Sequence, residues 1–361
     1  MEVKGNRLTF LDWLRGAAGI IMLQGHAFQS FLKPDLRGGA SYMLSQFLGG
    51  MPPAIFLFLT GITLAFLMHS FERRGVSRRD RLTGTLRRAG YLFGIAMLLR
   101  VQLWLFSLPN PWTNLLKVDI LNCMGFGIAL MSGMSWFTTA QRARICAALG
   151  LAIAGLSPIV SQLNWNGVPW IVKAYLAPDY NYFSFFPWAA YLAFGVSAGS
   201  LIRLLKHEHY DRAMQWCALL GIGMIVGARY FANLPFSIYP KSDFWLDSPA
   251  QVLIKLGVTL LILALAFVWT QYGAAPGWSW VRQFGTTSLL VYWVHIELVY
   301  GRWLPWCKNN LDVAQTALAT VILIGLMLLL AVVKTYRRDI AAYVSSSRWA
   351  WSAKPDRVPA D

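Results

Sequence analysis

The chain reads as an all-α, polytopic integral membrane helical bundle, and three observations predict that class. Of its 361 residues 57% are hydrophobic and only 13% are charged, against about 25% charged in soluble domains. Its mean hydropathy is +0.47. Apolar stretches of about 20 residues recur along it, each sufficient to cross a bilayer as a helix, in place of the alternating segments of an outer-membrane barrel.

About ten spans fit the pattern, near residues 8–32, 46–68, 89–107, 117–136, 145–163, 184–204, 213–233, 251–271, 283–304 and 313–334. The first carries Asp12, Arg15, Gln24 and His26 among apolar residues. Lacking a small-residue cleavage site, it is read as a retained helix and not as a cleaved signal. Between the second and third spans lie Arg73, Arg74, Arg78, Arg79, Arg81, Arg87 and Arg88, a loop that belongs on the cytoplasmic side. With that loop inside, both termini are cytoplasmic. The net charge of +16 then reports topology and not an affinity for nucleic acid.

The opposite loops are rich in Trp, Asn, Pro and Tyr, in NPWTN (110–114), NWNGVPW (164–170) and DYNYF (179–183). Such residues can stack on and hydrogen-bond to sugars, although for any individual Trp an interfacial aromatic belt is the favoured reading. Spans six and seven carry Gly195 with Gly199 and Gly223 with Gly227, at GxxxG spacing that permits close helix contact. The ninth span holds GTTSLLVYWVHIELVYG from Gly285. Residues 1–344 are expected to form one membrane domain and 345–361 a disordered cytoplasmic tail. Cys123, Cys146, Cys217 and Cys307 fall singly, without the spacing of a disulfide framework or a metal site.

Two spans concentrate the polar chemistry. Arg15 and His26 are eleven positions apart in the first span, three helical turns plus about 20°, so they face the same way some 16 Å apart in depth. Ionisable groups at such depth are costly, by about 3 kcal/mol each on insertion scales, and face a protein interior or a water-filled cavity. Neutral His26 can take a proton from a hydroxyl or amine, or attack an acyl group; its structural alternative is interhelical hydrogen bonding. Arg15 can hold a phosphate, carboxyl or carbonyl in its planar fork, or simply pair with Asp12 three residues earlier. In the ninth span Ser288, Tyr292 and His295 share one helix face, with Glu297 about 200° from His295. Ser288 and Tyr292 are candidate oxyanion donors. Arg100 and Asp119 are expected to pair, while Arg229 and Lys255 have no evident partner.

FLDWLRGAAGIIMLQGH, MPPAIFLFLTGITLAF from Met51, VDILNCMGFGIAL from Val118, FPWAAYLAFGVSAGSLI from Phe186 and GTTSLLVYWVH occur in an order that resembles the heparan-alpha-glucosaminide N-acetyltransferase catalytic-domain family. The resemblance covers most of the chain. The Arg15-to-His26 spacing also resembles the related acyltransferase-3 family, which decorates sugars with acyl groups. This likeness implies an enzyme that passes an acyl group, commonly acetyl from cytoplasmic acetyl-CoA, to a glycan or glycolipid across the membrane without a metal. By it, His26 is the base or acyl carrier, Arg15 with Asp12 places the donor, and His295 is a second catalytic histidine. One departure is plain: many relatives have an acidic residue directly before the first-span histidine, where this chain has Gly25.

The competing class is a transporter or flippase using the same intramembrane His and Arg residues, which would more often show internal repeats and broken helices at matching positions. The compact loops and the lack of organelle signals point to a bacterial inner membrane. A homo-oligomer is compatible with the sequence.

Overall fold

The computed structural model describes residues 8–106, 111–273 and 277–352, with side chains through 337. It is 79% helical and contains no strand among the described residues. Thirteen α-helices follow in order: α1 (Thr9–Phe31), α2 (Ala40–Gly49), α3 (Pro52–Arg73), α4 (Arg78–Phe106), α5 (Ile120–Met131), α6 (Thr139–Ser161), α7 (Trp170–Leu176), α8 (Phe185–Leu204), α9 (Tyr210–Ala232), α10 (Pro249–Val268), α11 (Trp280–Thr286), α12 (Ser288–Tyr300) and α13 (Val313–Ser352). Seven helical segments are long and apolar enough to cross a membrane. The other expected spans fall on α1, which carries Asp12 and Arg15, and on two shorter apolar stretches, Ile120–Trp136 and Ser288–Tyr300. Of the expected tail, residues 345–352 lie in the last turns of α13, and 353–361 lie outside the described residues, as does Asn110 of the NPWTN loop.

Two expected spans are broken, each for a local reason. The second divides into α2 and α3 at Gly50 and Met51, because Pro52 and Pro53 lack the N–H groups that a continuous helix would need. The ninth divides into α11 and α12 at Thr287. Both Thr286 Oγ1 and Thr287 Oγ1 donate to the Gln283 carbonyl (2.9 and 3.0 Å), so side chains take up an acceptor of the helix ladder.

The bundle is built around α8, whose residues between Ala189 and Val196 are nearly all buried, with α3 and α6 packed along it. A Cβ on Gly195 would lie 2.0 Å from the Phe58 carbonyl oxygen, and one on Gly199 2.7 Å from Ile62 Cα, so α3 and α8 touch backbone to backbone. Gly223 and Gly227 share the GxxxG spacing but face open space. The contact between α9 and α10 is instead made by Gly221 and Gly257.

Two ion pairs brace opposite ends of the bundle. Near the arginine-rich loop, Arg142 is completely buried. It meets Glu72 Oε2 (3.4 Å), Thr139 Oγ1 (2.9 Å), the Phe137 carbonyl (3.2 Å) and Ser200 Oγ (3.4 Å), linking α3, α6 and α8. At the other end Arg100 of α4 pairs with Asp119 (3.0 Å), as expected, while Asp119 Oδ1 caps α5 by accepting from the amides of Leu121 and Asn122. Lys255, without a partner in the sequence reading, stands over the Trp188 ring at 5.1 Å.

Gly195→Ala is expected to lower the thermal midpoint of the purified protein in detergent, as overpacking of this kind costs about 1–3 kcal/mol, whereas Gly223→Ala is expected to leave it unchanged or slightly raised. Equal effects at the two sites would contradict the α3–α8 contact.

Candidate active site

His26 sits in the last third of α1, and the end of that helix is anchored by the chain that follows α12. The amides of Asn309, Asn310 and Leu311 donate to the carbonyls of Ser30 (2.9 Å) and Phe31 (3.1 and 3.0 Å), groups that a helix terminus leaves without an internal partner. Lys33 N returns a bond to Leu311 O (3.0 Å), and Ser30 Oγ donates to the Val299 carbonyl of α12 (2.8 Å). Asn309 adopts φ 54°, a turn conformation open to Asn, which lets the strap reverse over the α1 terminus. Beside it Lys308 Nζ caps α12 through the Tyr300 carbonyl (2.9 Å) and that of Gly301, and partial burial lowers its pKa from the ordinary lysine value.

That anchoring brings His26 and His295 together. The rings stack with centroids 5.2 Å apart and planes 18° from parallel, and His26 Nδ1 lies 2.9 Å from His295 Nε2. The other nitrogen of His295, Nδ1, is 2.8 Å from the Val291 carbonyl oxygen. A carbonyl only accepts, so His295 Nδ1 carries a hydrogen, and in the neutral ring Nε2 is then an acceptor. His26 Nδ1–H therefore donates to His295 Nε2. This leaves the lone pair of His26 on Nε2, the nitrogen pointing away from its partner. His295 is completely buried, whereas His26 is half-buried.

The position before His26 has its own packing reason. A Cβ on Gly25 would stand 2.9 Å from Gly49 Cα, so any side chain there would push α2 off α1. Gln46 Nε2 donates to the Gly25 carbonyl (3.0 Å), and Gln24 Nε2 bonds Ser45 Oγ across the same contact. A carboxylate side chain at this place has no room, and the hydrogen-bond partner of His26 comes from α12.

The remaining predicted residues are distributed unevenly. Tyr292 packs edge-on against the His295 ring at 5.7 Å. Ser288 opens α12 about 10 Å along the axis from His295 and makes no hydrogen bond through its side chain among the described residues. Arg15 Nη1 pairs with Asp12 Oδ1 (3.3 Å), three turns from His26 on the same helix and towards the arginine-loop end of the bundle. Glu297 is buried but lies against Gly301 and not against the histidines. Tyr300 went unnoticed in the sequence: its ring meets His26 edge-on at 5.4 Å, and its hydroxyl donates to Gln29 Oε1 (2.8 Å). No periodicity within the ninth span marks it, because its partner lies on α1.

Tyr300 opens onto a cavity of about 200 Å³ that is also lined by Arg100, Trp104, Asn114 and Lys117. Its far side adjoins a second space of about 530 Å³ bordered by Asn114, Lys117, Trp170, Asn181 and Tyr182. Neither histidine borders these spaces; the Tyr300 ring, which meets His26, stands between the pair and the first of them.

Comparison with curated proteins finds no relative. The family described as heparan-alpha-glucosaminide N-acetyltransferase, catalytic, matches residues 7–233, which include His26, Arg15, Arg100 and Asp119 and end before His295 and Tyr300. With more than half of its length matched, the chain belongs to the heparan-alpha-glucosaminide N-acetyltransferase catalytic-domain family.

Proposed function

We propose that the protein is a membrane acetyltransferase that takes an acetyl group from an acyl-CoA held at the arginine-rich, cytoplasmic side and delivers it to a sugar amine or hydroxyl on the opposite side. Family membership supports acetyl transfer, and the hydrogen-bonded pair of His26 and His295 carries the mechanism. A bacterial inner membrane remains the proposed location.

The His26 lone pair on Nε2 is the reactive centre. In direct transfer, the acceptor N–H or O–H gives its proton to Nε2 as the nucleophile attacks the thioester carbonyl carbon. The C–S bond then breaks and the departing CoA thiolate recovers the proton from Nε2. In the covalent route, Nε2 itself attacks the thioester carbonyl carbon and the C–S bond breaks, giving an acyl-imidazolium and the CoA thiolate; the acceptor then attacks the acyl carbon, the N–acyl bond breaks to restore Nε2, and the acceptor's proton ends on the CoA sulfur. In either route the positive charge that develops on His26 is stabilised by its Nδ1–H bond to His295 Nε2, a ring held in turn by its own Nδ1–H bond to the Val291 carbonyl, and the pair acts where a carboxylate orienter would otherwise stand. Tyr292, against His295, remains the nearer of the two candidate oxyanion donors.

Arg15 is assigned to the donor. Its guanidinium, braced by Asp12, lies about 16 Å along α1 from His26, a span that an extended pantetheine arm bridges while its phosphates stay at the basic face. The acyl group then reaches His26 without crossing the membrane free.

His26→Ala is expected to reduce acetyl transfer and acceptor-independent acetyl-CoA hydrolysis by about 10²–10⁴-fold while the protein remains folded and inserted. Retained activity in a folded variant would exclude His26 as base or carrier. His295→Gln, whose side-chain carbonyl can accept from His26 Nδ1–H, is expected to keep more activity than His295→Ala in the same assay. Equal losses would mean that His295 only fills space. Arg15→Lys is expected to raise the KM for acetyl-CoA and leave that for the acceptor unchanged, and an unchanged donor KM would move Arg15 to a purely structural pair with Asp12.

A further inference from the structure

Tyr300 stands where two environments meet. Its ring lies edge-on against His26, with centroids 5.4 Å apart, and the same residue lines the cavity of about 200 Å³ that Arg100 and Trp104 of α4 border with Lys117. Neither histidine borders that cavity. Tyr300 is 41% exposed, so one side of it packs on the histidine while another stays open. A group arriving in the cavity therefore meets the phenol ring before it meets the imidazole.

The ring can move without disturbing the helices around it. Tyr300 is the last residue of α12, and Gly301 after it has left helical geometry, with ψ −170°. Lys308 anchors this helix end through the backbone carbonyls of Tyr300 and Gly301, which leaves the Tyr300 side chain out of the anchoring. The hydroxyl makes one hydrogen bond among the described residues, to Gln29 Oε1 at 2.8 Å, and both residues are exposed. Gln29 lies three positions after His26 on α1, so this bond ties the ring to the helix that carries the base. An exposed side chain moves between staggered rotamers quickly, and one neutral hydrogen bond biases such an equilibrium by about 2- to 10-fold. The bond is strong enough to favour one position of the ring and weak enough to release it.

We propose that Tyr300 is a gate between His26 and the outer cavity, latched shut by Gln29. Its purpose rests on the acetyltransferase reading above, to which it adds a control over when the outer side reaches His26 Nε2. With the ring closed, an acyl donor at His26 is shielded from water in the cavity. Were water to attack the thioester carbonyl carbon, the C–S bond would break and acetate would leave, with one of the water's protons ending on the CoA sulfur and the other in solution. Opening admits the acceptor nucleophile by the same route, so the latch sets the balance between transfer and loss of the donor.

The test uses the purified full-length protein in lipid nanodiscs with two readouts: carbethoxylation of each histidine by diethyl pyrocarbonate, followed by peptide mass spectrometry, and acceptor-independent acetyl-CoA hydrolysis. With an open state populated at about 0.1–10%, Tyr300→Ala is expected to speed modification of His26 about tenfold or more. Tyr300→Phe and Gln29→Leu break the latch and keep the ring, so each is expected to speed it about 2- to 10-fold, and the double variant no further, because both remove the same bond. His295, completely buried, is expected to stay unmodified, whereas a loosened fold would expose both histidines. Should Tyr300→Ala expose both, the two latch variants decide. Hydrolysis of acetyl-CoA is expected to rise in the same order as His26 modification. A His26 rate that is the same in every variant, or additive effects of Tyr300→Phe and Gln29→Leu, would overturn the gate. Hydrolysis that is present but equal in all variants would overturn its role in excluding water. Graded modification of His26 with no hydrolysis in any variant would overturn the acetyltransferase reading and leave the gate standing.

Discussion

The hydrogen bond between His26 and His295 is the contact on which the functional architecture depends. The two residues are 269 positions apart, and the elements around them hold His26 Nδ1 2.9 Å from His295 Nε2. The strap at Asn309–Leu311 completes the carbonyls at the end of α1, and Ser30 ties that helix directly to α12. Because the Val291 carbonyl fixes the hydrogen on His295 Nδ1, the direction of the chain of hydrogen bonds is decided by backbone geometry and ends in a lone pair on His26 Nε2. The proposed base thereby needs no buried carboxylate, whose charge would be expensive at this depth.

The two ends of the bundle are specialised by charge. At one, the completely buried Arg142 is satisfied by Glu72, Thr139 and backbone, so it serves to lock three helices. At the other, Arg100 is paired with Asp119 through Nη2, while its Nε is buried without a hydrogen-bond partner among the described residues. The same residue type therefore has different roles according to how many of its five N–H groups the fold already uses. The donor site proposed at Arg15 reaches His26 along α1 from the arginine-loop end.

Much of this was legible from local spacing. Asp12 and Arg15 lie three apart and pair; Arg100 and Asp119 fall at neighbouring span ends and pair; the apolar stretches become long helices. Periodicity also put His26 and His295 on definite helix faces. It gave no way to tell that those faces meet, since a helical pattern specifies rotation about an axis and not the neighbouring axis. For the same reason the spacing of Gly223 and Gly227 could not reveal that α9 turns Gly221 to its partner instead. The break at Thr287 was hidden because hydropathy runs smoothly through it, and the competing side-chain bonds to Gln283 involve residues that an apolar window counts as neutral. Gly25, read as the loss of an acidic orienter, is explained by a crossing with Gly49 that only three dimensions display.

The central claim is that His295 holds His26 in the tautomer with a bare Nε2, and nitrogen NMR on the protein in bilayers tests it most directly. With ring-15N histidine there are five residues to resolve, and His295→Gln and His26→Ala samples assign the pair. The account predicts a pyrrole-type Nδ1 and a pyridine-type Nε2 for His26 at neutral pH, with the Nδ1 signal moving when His295 is replaced. A hydrogen found on His26 Nε2 instead, with Nδ1 bare, would reverse the hydrogen-bond chain and contradict the account.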